Sequence, residues 1–154
     1  TDLSPEEIAA SHRWHAIECN NRAWQLSEQP RRSPAENEQM LHAAHAAAFH
    51  WAQVGTELHQ ARARMLLGHV CAAVGQGQPA LAYAGRSLAY LAAHETPDWE
   101  IAFAHAVLAH AASAAGGTAL HREHYTRAQE LGHAIADPED KAIFHKTFDL
   151  IPAP

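Results

Sequence analysis

Apolar side chains return every three or four positions along most of the chain, the spacing of one face of an α-helix. The intervals between these runs carry Ser, Thr, Pro, Gly and Asp. The first run places Ala10, Trp14, Ile17 and Trp24 on one stripe, interrupted by Asn21. It predicts a helix with this face buried, starting at Ser4-Pro5-Glu6-Glu7 and ending near Glu28, before Pro30. The start combines an N-cap serine, a proline at the first helical position and a glutamate placed to return a hydrogen bond to the cap. Ser33-Pro34-Ala35-Glu36 repeats the signal, and Met40, Ala44, Ala47, Ala48 and Trp51 mark the buried face of a second helix. Gly55 closes it and Thr56 caps the next.

The third helix, over 57–74, has Leu58, Ala61, Met65, Gly68 and Ala72 on one side and Leu67, Cys71 and Val74 on the adjoining side. A helix apolar on two sides is central to its fold. A fourth follows Pro79 with Leu81, Ala84, Leu88 and Leu91 inward, a fifth starts at Thr96-Pro97-Asp98 and ends at Gly116-Gly117, and Thr118 caps a sixth that fades near His133. Asp137-Pro138-Glu139-Asp140 starts a short seventh helix, whose Ile143, Phe144 and Phe148 cover the preceding hairpin while Lys141 and Lys146 face water. No segment alternates with a period of two, so the fold class is all-α with about seven helices. Within it, residues 61–93 and 102–133 match at one offset of 41: Ala61/Ala102, Ala63/Ala104, Leu67/Leu108, His69/His110, Ala73/Ala114, Gly75/Gly116 and Arg86/Arg127. The repeating unit is an antiparallel helical hairpin.

Composition narrows the function classes. The 154 residues suit one domain. The hydrophobic fraction is 47% with aromatics at only 7%, so alanine supplies much of the contact surface and helices pack closely. Eleven Lys and Arg against 17 Asp and Glu leave a formal charge of -6, which repels a phosphate backbone and makes nucleic acid an unsuitable partner. Cys19 and Cys71 are far apart, lie in helical patterns and read as buried free thiols of a reducing compartment. With no long apolar run and no basic-then-apolar leader, the expectation is a cytoplasmic protein without a membrane partner.

Leu67-Gly68-x2-Cys71, Gly75, Ala80-x3-Ala84 and Ser87 resemble the tetratricopeptide pattern, in which small residues let paired helices approach. The second copy is looser: Leu108-Ala109-x2-Ala112, Gly116, His121-x3-Tyr125 and Ala128. Departures are the 41-residue period, where thirty-four is usual, and the missing aromatic near the start of each first helix. The resemblance implies a short right-handed superhelix of stacked hairpins: a degenerate one over 4–55, two more over 57–94 and 97–134, and a capping helix over 137–149. It further implies a concave groove, lined by first helices, that holds a peptide or helix of another protein. Carried over by position, the groove residues are Glu18, Arg22 and Gln25, then Arg62, Met65, His69 and Ala72, then Phe103, Ala106, His110 and Ser113. The family's basic clamp for a peptide carboxylate has only Arg22 and Arg62 as candidates. The tail 151–154 either lies in this groove or stays free.

Fourteen histidines raise a second reading, a helical metal-binding protein or metalloenzyme. The pairs His12/His15, His42/His45 and His121/His124 share helical faces, but there is no HExxH and only one Glu-x-x-His, Glu130/His133. The expectation is therefore no metal and no cofactor. His69 and His110 occupy equivalent repeat positions, and if both line the groove, ligand binding should weaken between about pH 7 and 5.5 as they protonate. No serine sits in a glycine elbow, and the glycine clusters are helix ends, so no catalytic residue is assigned. Trp14, Trp24 and Trp51 are expected in the core, and Trp99 against the loop over 94–97. The leading reading is a non-enzymatic interaction module, with a homodimer possible through the first two helices or the last. A third is the repeat domain of a larger regulator.

Overall fold

Three of the seven helices among the described residues begin with a side chain and a backbone exchanging hydrogen bonds. The computed structural model describes residues 2–154, and in it Ser4 Oγ accepts from the Glu7 N–H at 3.1 Å while the Glu7 carboxylate accepts from the Ser4 N–H at 2.7 Å. This box opens α1 (Pro5–Ser27), and Ser33 with Glu36 opens α2 (Pro34–Val54) in the same way. At α3 (Glu57–Ala73) an imidazole replaces the carboxylate, His59 Nδ1 accepting from the Thr56 N–H at 3.1 Å. The remaining helices are α4 (Gly77–Ala92), α5 (Asp98–Ala114), α6 (Thr118–His133) and α7 (Pro138–Phe148). There is no strand among the described residues.

Two expected caps work differently. Thr118 is the first helical residue, with Gly117 at the cap position and no side-chain bond. Thr96 donates to the Leu91 carbonyl at 2.7 Å, so it closes α4 instead of opening α5. The helix ends within the repeat do correspond. Gly75 and Gly116 have φ of 81° and 78°, the left-handed conformation that glycine enters without a Cβ clash. Behind them the Gln76 and Gly117 N–H groups donate to the Cys71 and Ala112 carbonyls, both at 2.8 Å. Each copy thus turns its hairpin with the same bond pattern.

The helices pair as α1/α2, α3/α4 and α5/α6, each hairpin packing on the next, and α7 rests on α5 and α6. Helix α3 is buried without a break from Met65 to Ala72, the central role its two apolar sides require. Gly68 lies against Ala84, where a Cβ would stand 3.1 Å from the Ala84 Cβ, and Ser87 Oγ donates to the Ala61 carbonyl at 2.9 Å. Gly132 of α6 leaves room for the buried Phe144 ring of α7.

The first hairpin departs from expectation. Trp14 and Ile17 are 60% and 43% exposed, Ala10 and Asn21 face solvent, and α1 buries Ala16, Ala23, Leu26 and Ser27 instead. The facing surface of α2 is Met40, Ala43, Ala44 and Ala47. Helices that meet through alanine approach too closely to seat an indole between them, so the large side chains turn outward. Trp51 is half-buried, stacked on His59 at 4.3 Å. In α7, Phe144 and Phe148 are buried as expected, whereas Ile143 is 60% exposed.

Candidate functional site

The first helices of the hairpins share one face, and α7 with the residues after it crosses that face. Two cavities result. The larger, about 450 Å³, opens between α1, α3, α5 and α7. Its apolar wall is Trp24, Met65, Trp99, Phe103 and Ile143, with Trp24 and Trp99 set edge-on to Phe103 at 6.2 and 6.3 Å. At its base Arg62 donates from Nε and Nη2 to the two Glu100 oxygens, at 2.6 and 3.0 Å. Glu100 is 1% exposed, and its hydrogen bond raises the Arg62 pKa against the opposing effect of burial. At the rim, Glu28 pairs with Lys146 at 3.3 Å. Among the described residues no cation pairs with Asp140; desolvation and then the charges of Asp137, Asp98 and Glu139 raise its pKa.

The smaller cavity, about 210 Å³, is lined by His69, His110, Arg32 and the segment Leu150, Ile151 and Pro152. Trp24 lines the larger cavity and stacks on His69 at 4.9 Å, so it separates the two. The His69 and His110 rings lie 6.1 Å apart, and Nδ1 of each is buried without a hydrogen-bond partner. Burial, then the neighbouring His110 and Arg32, lowers the His69 pKa to about 3; burial, then His121 and Arg32, lowers that of His110 to about 4. Both rings are neutral at pH 7. The expected loss of binding between pH 7 and 5.5 is corrected accordingly, because neither ring titrates in that window. The tail occupies this part of the face: Ile151 is buried, and His121 Nε2 donates to the Pro152 carbonyl at 2.7 Å.

Of the residues assigned to the groove by position, Arg62, Met65 and Phe103 meet in the larger cavity and His69 and His110 in the smaller. Ala72 and Ala106 are buried and Ser113 half-buried, lining neither. Glu18, Arg22 and Gln25 are exposed and also line neither, a correction that follows from the rotation of α1. Asn20, Trp24 and Glu28, one turn apart on another stripe, take their place. No clamp forms from Arg22 and Arg62: Arg22 donates to Gln39 of α2 at 3.4 Å, and Arg62 is engaged by Glu100.

The histidine pairs also regroup. His12 and His50 meet Nδ1 to Nδ1 at 2.8 Å, and His105 and His124 at 2.9 Å, so one ring of each pair donates and its partner accepts. His105 is pushed down to about 4 by burial first, then by His124 and Arg127. Among the described residues no three His, Cys, Asp or Glu side chains converge to hold a metal ion. Both cysteines are free, with thiol pKa values raised chiefly by burial. No helix among the described residues is long and apolar enough to cross a membrane.

No family model, curated protein or solved structure matches this chain.

Proposed function

We propose that the protein is a non-enzymatic interaction module that docks a peptide or helix of a partner by seating one large apolar side chain in the cavity between α1, α3, α5 and α7. The observation that carries this reading is the makeup of that cavity: five apolar residues, three of them aromatic, around one internally paired Arg62–Glu100 bridge. A volume of about 450 Å³ suits an aromatic or leucine anchor with part of its backbone, and such anchors supply most of the energy of a peptide interface. Because Leu150 to Pro152 fill the next stretch of the face, the partner contacts it through a short segment instead of threading its length. Uncompensated Asp140 at the rim favours a basic residue beside the anchor.

Selection from a displayed peptide library tests this, with wild type compared against Met65→Arg. The expected result is enrichment of sequences sharing one large apolar residue near a lysine or arginine, and loss of that enrichment in the variant. Equal recovery on both proteins would overturn the reading.

A further inference from the structure

The smaller cavity has a chemistry that peptide docking does not use. Arg32, on the connection between α1 and α2, is held by acceptors that carry no charge. Its Nε donates to Asn37 Oδ1 at 2.8 Å, and its Nη1 reaches the carbonyls of Leu26, Ser27 and Gln29 at 3.2 to 3.4 Å. Among the described residues no carboxylate forms an ion pair with it, and none lines the cavity. Across the space stand His69, 4% exposed, and His110, each with a buried Nδ1 that bonds to nothing. A buried polar nitrogen without a partner costs free energy, and a cavity lined by two such rings and by a guanidinium with no counter-charge favours a ligand that accepts hydrogen bonds.

We infer that this cavity binds a small oxyanion, a phosphate or carboxylate group held by Arg32 and by ring N–H groups of His69 and His110. The reading is independent of the peptide-docking proposal. At about 210 Å³ the space exceeds what one or two bridging waters need, since a water's share of the liquid is about 30 Å³. Water would satisfy the imidazoles but leave the Arg32 charge without a counter-charge, which an anion supplies. A neutral imidazole places its one proton on either nitrogen, and the bound anion would fix the tautomer of both rings. The hydrogen bond from His121 to the Pro152 carbonyl holds the C-terminal segment against the cavity as part of its wall.

The test is long-range ¹H–¹⁵N spectroscopy of the histidine rings at pH 7, titrating inorganic phosphate or acetate into wild-type protein against a chloride background of constant ionic strength. Saturable shifts of the ring nitrogens of both His69 and His110, each toward a single tautomer, are expected. Response to phosphate alone assigns a phosphate-bearing ligand, to acetate alone a carboxylate, and to both the shared oxyanion chemistry. Absence of a saturable response to either overturns the site. Arg32→Gln should weaken the affinity about tenfold or more. Because Arg32 also ties down the end of α1, His110→Phe, which keeps a ring but removes both nitrogens, is the second variant and should weaken it comparably. An affinity unchanged by both substitutions would place the anion elsewhere and equally overturn the inference.

Discussion

Arg62 and Glu100 show how unequal exposure within one ion pair decides its worth. The Glu100 side chain is 1% exposed and the Arg62 side chain 41%, so solvent screens one partner and not the other. Removing the arginine strands a buried carboxylate, whereas replacing both groups by apolar ones strands nothing. Arg62→Leu should therefore destabilise the protein by about 2 kcal/mol, below the range for fully buried pairs because Arg62 is partly solvated. Arg62→Leu with Glu100→Leu should recover most of that loss, and urea unfolding of the three proteins measures it. A double variant as weak as the single one would contradict this account of the pair.

The buried histidines have the opposite relation to acid. His69 and His110 stay neutral in the folded chain down to about 3 and 4, while in the unfolded chain they protonate near 6.5. Between those values the unfolded state binds more protons, so stability is complete above about pH 6.5 and falls as the pH falls. At pH 5 the two together remove about 4 kcal/mol, a large fraction of the 5 to 15 kcal/mol typical of a domain. Half-buried His105 adds a smaller amount in the same direction. Unfolding free energies measured from pH 7.5 to 4.5 should fall steeply, and His69→Gln with His110→Gln should flatten the slope by up to about two protons. A wild-type curve flat across that range would mean that the rings are not buried as neutral groups.

At the scale of the helix, glycines divide into those that shape the chain and those that make room. Gly75 and Gly116 turn equivalent hairpins at positive φ with open space where a Cβ would stand, so alanine should cost about 1 kcal/mol at each, and equally. Gly132 is different: a Cβ there would meet the buried ring of Phe144, and Gly132→Ala should cost about 1 to 3 kcal/mol and loosen α7. Thermal melts of the three variants rank them; a Gly132 variant milder than the other two would refute the packing of α7 on α6.

Features decided by a single residue or turn are legible in the sequence, and those set by long-range packing are not. Helix starts at Ser4, Ser33 and Thr56 and the twin ends at Gly75 and Gly116 are local, because one side chain or one backbone conformation decides each. The repeat fixed equivalence within α3 and α5, which is why Arg62 with Phe103, and His69 with His110, fell on shared faces. Helix α1 has no repeat partner of matching sequence, and ranking its positions by hydrophobicity favoured Trp14 and Ile17 over the alanines that pack against α2. Arg32, Asp140 and Ile151 reach the cavities from connections and the far end of the chain, and no periodicity records contacts of that range.

At the scale of the molecule, the first hairpin leaves an apolar face without a neighbour. Trp14 and Ile17 on α1 and Phe49 on α2 are 43 to 60% exposed, and His15 and His50 stack between them at 5.2 Å. An apolar surface of this kind at the end of a stacked array is suited to a second copy. Light scattering should find a dimer that Trp14→Glu with Phe49→Glu converts to monomer; a wild-type monomer at high concentration would refute this use of the face. The cavity between α1, α3, α5 and α7 is the proposed docking site, and the affinity of a library-selected peptide for wild type and for Trp99→Ala tests it most directly. With Trp99 as part of the wall, the variant should bind at least about tenfold more weakly, as expected when a buried aromatic contact is removed from an interface, while Trp14→Ala binds as wild type does. Equal affinity for wild type and Trp99→Ala, or a larger loss from Trp14→Ala, would contradict the assignment of this cavity as the docking site.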